Sequence, residues 1–363
     1  MVTATPYEAL VESAASLTGT ELIADIDDLD ISAASAFLQR NHVALESARR
    51  TLGPQCVVPV HYDESFSSEN RDHVCHLRNL ARAFRAEAFV AAHDDDYRAT
   101  TKIGIDILEL ANAVRRGGLE TDLLVGIAFS SIAIGVLRTN RTKLDQATRH
   151  MLIHELRRLE AEREHFDDIV ARDRDWQVAL GCEDAPCNFN WEEMNSPELR
   201  DVPEEERKKL LQLLQQTADL PKPVLQQFML DQDRHVLALM RMLAIDLALR
   251  DRYDSSGAFA EELSSLAPDF LPKLPVDPYT DTSFIYRRVG DKRFQLYSTG
   301  PKMRDGGGQI GPWPLVAAGC ADLYLDAGDY WSACCSVPRR QGFVYRIASA
   351  IRGWYGSRRV QSI

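Results

Sequence analysis

Several groups of side chains in this sequence have types and spacings that could do chemistry. His150 and His154 are four residues apart and share a face if their segment is helical. That is the spacing of the two zinc ligands in His-Glu-x-x-His, whose glutamate is the general base. Met151 follows His150, so the base is missing, and the sequence indicates no third ligand. Glu162 and His165 make one Glu-x-x-His, but a di-iron bundle needs two copies and two further glutamates, and no second copy appears. His73, Cys75 and His76 stand behind Glu69 and Asp72, with no complementary Cys/His pair at finger-like spacing. His93-Asp94-Asp95-Asp96 has the composition of a ligand cluster, yet it lies where two helices must turn, and aspartate caps helices there. In each case the structural reading is the stronger one: an exposed charge-rich face, an acidic first turn, or a cap.

Glycine motifs and nucleophile elbows add nothing catalytic. Gly306-Gly307-Gly308 is not followed by Lys-Ser/Thr and does not open a helix, and no Gly-x-Ser-x-Gly occurs. The expected catalytic and cofactor-binding sets are therefore empty.

The elements that would position these groups are mostly helical. In 77–92, Leu77, Leu80, Ala81, Phe84, Ala88, Phe89 and Ala92 recur at three and four, which predicts a helix. Ile103, Ile107, Leu110, Ala111 and Val114 predict a second over 97–116, ended by Gly117-Gly118. Thr121-Asp122 opens an apolar stretch whose longest run, Leu123 to Leu137, has 15 residues. About 20 are needed to span a bilayer, so a buried core helix is expected. A long helix over 142–171 follows, then an irregular connector over 174–202, then helices at 203–217 and 224–252 with Pro223 in the first turn of the last. Residues 53–70, with Gly53, Pro54, Pro59 and the polar run SFSSEN, read as a spacer. The stretch AEAFVAAHDDDYRATTKIGIDIL resembles the junction of a tetratricopeptide-like helical hairpin, with small alanines, an acidic turn, then Tyr97 and Ala99.

After about 256 the texture changes. LAPDFLPKLPVDPYT cannot be helical. SFIYRR and RFQLYS are β-type runs around a Val-Gly-Asp-Lys turn, which predicts a hairpin. Asp277-Pro278-Tyr279 reads as a structural turn. Residues 315–335 have no legible pattern, and 339–357 have the spacing of a short amphipathic helix.

The chain of 363 residues carries 54 acids and 42 bases, a net charge of −12. Six arginines and no acid lie from Arg339 onward, which leaves −18 on residues 1–338. Such a surface repels phosphate backbones, so nucleic acid is not an expected partner. The basic tail suits an acidic protein surface or an anionic membrane surface. Seven cysteines, odd in number and irregular in spacing, read as free thiols in a reducing compartment, while Cys182 and Cys187, in GCEDAPC, are a pair that an oxidising one would let bridge. The start of the chain, MVTATPYEALVESAASL, has no basic region before a long apolar run, so neither a signal peptide nor an anchor is expected, and the cytoplasm is the default location with the cell envelope as alternative.

The segment from about Leu243 to Gly308 resembles the soluble part of the type II secretion major pseudopilins. The likeness is carried by Leu274, Pro275, Asp277, Pro278 and Tyr279, then Phe284 and Tyr286, then Leu296, Tyr297, Ser298 and Gly300, then Asp305 with the three glycines. The resemblance implies a helix, a short sheet and a calcium-binding loop. It departs from that family in having no leader or hydrophobic assembly helix and, after Asp305, no further carboxylate in the glycine loop, where calcium wants six to eight oxygens. The helical part, through ALESARRTLGPQC, LRNLARAF and GLETDLLVGIAF, resembles a bacterial family seen notably in planctomycetes that joins such a body to this kind of module and has no assigned activity.

The expected architecture is thus mainly α: a helical-hairpin body, tetratricopeptide-like in part, with a small C-terminal α+β pseudopilin-like module. Its parts are 1–70 (N-terminal helices and spacer), 71–222 (helical body), 223–314 (long helix and β module) and 315–363 (basic tail). Asp305 is the one metal candidate, for calcium, and no other cofactor is expected. The function expected is a non-catalytic binding or scaffold protein with a protein partner. The alternatives are an accessory component of a pseudopilin-type secretion or envelope system and a metal-dependent enzyme built on the helical His and Glu residues.

Overall fold

A computed structural model describes residues 4–23, 30–63, 65–181, 221–310 and 321–326. The protein is mainly helical with a small C-terminal antiparallel sheet. The described residues fall into two compact units. The first takes the chain up to 181 with Leu243–Gly257 and Pro268–Pro272; the second takes 221–242, Ala258–Ala267 and the described residues from Lys273 onward.

The first unit is built from α1 (Pro6–Ala15), α2 (Ile31–Thr51), α3 (Ser65–His93), α4 (Tyr97–Arg115), α5 (Glu120–Asn140), α6 (Gln146–Ala161) and α7 (Phe166–Ala179), with the C-terminal part of α8 (Lys222–Ser256). Caps fix the helix starts. Thr5 and Glu8 form a reciprocal capping box on α1, and Asp30, Asp96 and Asp145 each accept a backbone N–H in the first turn of α2, α4 and α6. The acidic turn at 94–96 is therefore capping chemistry: Asp95 takes a left-handed φ of 57° and Asp96 accepts from Ala99 N at 2.9 Å.

α4 and α5 pack closely because glycines face their neighbours. A Cβ on Gly126 would stand 2.9 Å from the Ala111 carbonyl oxygen, and one on Gly104 would strike Leu137. The apolar α5 segment is buried by this packing. Among the described residues Glu120–Lys143 is long and apolar enough to cross a membrane, by length and composition, and 61% of its most apolar stretch is buried in the fold. Tyr7, Phe37, Phe84, Leu80, Ile107, Leu110 and Leu123 form the centre of this core, each with no exposed surface.

Three boundaries differ from expectation. α3 begins at Ser65, inside the expected spacer, because Asp63 accepts from the Ser65 N–H at 2.9 Å and its hydroxyl at 2.7 Å, and because Phe66 is buried edge-on to Trp176. The helix expected over 142–171 is two helices. α6 ends at a Glu162 cap, and the turn it frees sends Glu164 to the Gly117 N–H and to Arg172. Trp176, expected in a connector, lies on α7 and donates from Nε1 to the His61 carbonyl at 3.0 Å.

In the second unit, β1 (Ile285–Arg288) and β2 (Phe294–Ser298) form the expected hairpin, with Gly290 at φ 68° in its turn. The register places Ile285 opposite Tyr297 and Arg288 opposite Phe294. β3 (Leu323–Tyr324) pairs antiparallel with β2, giving the order β1-β2-β3. Phe259 packs edge-on to Phe294, and Tyr297 stacks on Tyr324 at 5.0 Å between ring centres. The Cys182/Cys187 pair, the helix expected at 203–217 and the basic tail lie outside the described residues.

Candidate functional site

The glycine loop after β2 is where the sequence placed its single metal candidate. Asp305 accepts from the Gly307 N–H at 2.7 Å and the Tyr297 hydroxyl at 2.9 Å, and pairs with Arg287 at 3.1 Å. The Gly307 N–H first, then Tyr297 and nearby cations, hold its carboxyl below the usual range. The loop is organised by a residue the sequence reading missed. Asp322, fully buried, accepts from Gly306 N at 3.1 Å on one oxygen and from Gly308 N at 2.9 Å and Gln309 N at 3.1 Å on the other. The Lys302 ammonium sits 2.7 Å from Asp322 Oδ1. A carboxylate with about four lone-pair sites is thereby satisfied by four donors. Gly307 and Gly308, at φ 78° and 82°, allow the backbone to wrap it. The loop binds its own carboxylate and its own cation.

Asp277 does the same for the preceding turn. It is 2% exposed, accepts from Tyr279 N at 3.0 Å and Thr299 N at 3.3 Å, and so ties the turn to the end of β2. Burial raises its carboxyl, against these bonds and Arg241. Tyr279, also buried, donates to the Asp231 carbonyl at 2.9 Å. Asp277-Pro278-Tyr279 is a structural turn.

The helical candidates are spread apart. His150 Nε2 lies 3.0 Å from Asp251 Oδ2, and His154 lies beside Glu155 at 3.1 Å. Glu162 caps α6 and bonds Arg158, while His165 is the residue that opens α7. His73 packs edge-on to the Tyr7 ring, and Cys75 is exposed. Among the described residues no three His, Cys, Asp or Glu side chains gather as a metal-binding group.

A second polar centre was not legible in the sequence. Asp122, at the third position of α5, is wholly buried. It accepts from Leu119 N at 2.8 Å and from Asn70 Nδ2 at 2.8 Å. Burial pushes its carboxyl up to about 6; these two bonds and Arg172 oppose the rise, and Asp173 adds to it. Around this junction, Arg172 donates to the Gly118 carbonyl at 2.6 Å, Arg115 to the Glu164 carbonyl at 2.7 Å, and Arg116 to the Gly53 and Cys56 carbonyls at 2.8 and 3.2 Å. A Cβ on Gly118 would stand 2.5 Å from that of Asp122, so only glycine fits.

Larger ion networks join the helices. Arg49 bonds Asp106 at 2.8 Å, Glu46 at 2.7 Å and Glu87, with its guanidinium over the Phe84 ring. Arg158 links Glu109, Glu155 and Glu162. Arg149 links Asp251 at 2.6 Å and Asp254. Compared with models of protein families, with characterised proteins and with solved structures, the chain matches none.

Proposed function

We propose that this chain is a non-catalytic binding or scaffold protein: a helical body that supports a partner-binding surface, with the β module as an interaction or stabilising unit. The observation that carries the reading is where the reactive side chains point. Arg49, Arg149, Arg158 and Arg172 each bridge separate segments, and Asp122, Asp277 and Asp322 are buried on backbone N–H groups. Groups so engaged rigidify a framework; they are not poised to exchange protons or electrons with a substrate. A tetratricopeptide-like hairpin is supported by the tight 94–96 turn between α3 and α4, and a protein partner by the use such hairpins make of their faces.

The alternative, an accessory component of a pseudopilin-type secretion or envelope system, is supported by the β1–β2 hairpin and the Asp305 glycine loop that follow Leu274 to Tyr279. The six arginines beyond 338 would then serve an anionic membrane surface or an acidic partner.

The test is elemental analysis of the purified whole chain after dialysis without chelator, followed by cross-linking mass spectrometry in cell extract. A reproducible cross-linked protein with no stoichiometric metal is expected. Zinc or iron at one per chain would overturn the reading in favour of a metalloenzyme. Cross-links to secretion machinery would select the alternative.

A further inference from the structure

We propose that the junction of α1, α3, α5 and α7 is a proton-linked latch, in which one proton at Asp122 reverses the Asp122–Asn70 hydrogen bond. The geometry is specific. Asp122 has no exposed surface, and its two carboxylate oxygens hold the first turn of α5 and the side chain of Asn70 on α3. Asn70 is 6% exposed, and while its Nδ2 donates to Asp122 its Oδ1 has no partner. The Tyr7 hydroxyl, on a fully buried ring, has none either. Buried polar atoms of this kind cost free energy, and turning the amide exchanges the unpartnered Oδ1 for the Nδ2 hydrogens at the same place. A neutral Asp122 carboxyl has an O–H to donate. A half-turn of the Asn70 amide brings its oxygen to the place now held by Nδ2, where it accepts that hydrogen.

Several titratable and charged groups surround Asp122. From α1, the Tyr7 hydroxyl is pushed well above its ordinary value by burial, then by Asp122 and Cys56. From the 53–58 segment, burial pushes the Cys56 thiol up to about 12. Both stay neutral at physiological pH. α7 contributes Asp173 and Arg172 with opposite effects, α5 its own Glu120, and α4 Arg115, whose Nε bonds the Glu164 carbonyl. His73 on α3, against the Tyr7 ring, is lowered chiefly by burial.

The signs separate the two titrating residues. Asp122 is raised from 3.8 to about 6, so its contribution to stability is complete below about pH 4 and is lost as pH rises through about 6. His73, being lowered, loses stability in the other direction, as pH falls. The Asp122 shift corresponds to about a hundredfold in the folding equilibrium, at tenfold per pH unit.

The experiment is urea unfolding of the whole chain from pH 4 to 8, in wild type, Asp122→Asn and Asn70→Ala, with the Asn70 side-chain amide followed by NMR. The expected difference between wild type and Asp122→Asn is an inflection near pH 6 of up to about a hundredfold. Because the proposed reversal lets the amide serve the carboxylate on one side of the inflection and the neutral acid on the other, Asn70→Ala lowers stability on both sides of it. The Asn70 amide resonances titrate with the same midpoint. Parallel pH profiles for wild type and Asp122→Asn would overturn the proposal. If Asp122→Asn does not fold, an Asn70 resonance that ignores pH, or an Asn70→Ala variant destabilised only above the inflection, overturns it.

Discussion

Lys302 Nζ lies 2.7 Å from Asp322 Oδ1, with the lysine side chain 9% exposed and the aspartate fully buried. The loop resembling a calcium site is thus closed around an ammonium from its own chain. Removing one partner of a buried pair leaves an uncompensated charge and typically costs about 3–5 kcal/mol. Lys302→Met is expected to destabilise the β module by about that much, read as a lower urea midpoint with β2 and β3 amides exchanging faster. Millimolar calcium is expected to leave the wild-type melting temperature unchanged; a rise of several degrees would return Asp305 to the role of ligand.

Arg149→Met tests the body in the same way. It takes the guanidinium from Asp251, whose side chain has no exposed surface, and leaves it beside His150, at a cost of up to about 3–5 kcal/mol at neutral pH. Burial already raises the Asp251 carboxyl against Arg149 and His150. Without the guanidinium it rises further, so stability is regained as pH falls and the acid becomes neutral. Thermal melts at pH 5 and pH 7.5 are expected to show the variant closer to wild type at the lower pH.

Gly126→Ala would place a methyl group 2.9 Å from the Ala111 carbonyl oxygen, so α4 and α5 must part. Alanine is the better helix former by about 1 kcal/mol, yet the variant is expected to lose about 1–3 kcal/mol through overpacking. A melting temperature at or above wild type would show that the helices yield freely.

Native alkylation should separate two thiols. Cys56 is fully buried with its thiol raised to about 12, while Cys75 is exposed. At pH 8 the thiolate fraction at Cys56 is on the order of one in ten thousand. Iodoacetamide is expected to label Cys75 in the native chain and Cys56 only after denaturation, as read by peptide mass spectrometry.

What the sequence disclosed, it disclosed through local rules. The aspartate cap at 94–96, the Gly117-Gly118 stop and the hairpin around Gly290 each depend on neighbours within a few residues. The groups it hid are held by distant ones. Asp322 reaches back 13 to 16 residues from a stretch without periodicity, just before a strand only two residues long. Asn70 sits at the end of a polar run that looks like a spacer, and its partner is 52 residues away. Asp122 was visible as a helix opener, but nothing local records that it is buried. The break between α6 and α7 was hidden for a related reason. The charge pattern continues through it, and only Glu164 meeting Gly117 and Arg172 explains the stop.

The first unit is also not contiguous along the chain, since it takes up Leu243–Gly257 after a long excursion. On a ribosome this sets an order of events. Arg149 leaves the tunnel 102 residues ahead of Asp251, so the nascent body carries an arginine whose carboxylate does not yet exist. The first unit is completed only when α8 has been made, and a fragment ending before α8 lacks the carboxylates that Arg149 pairs with.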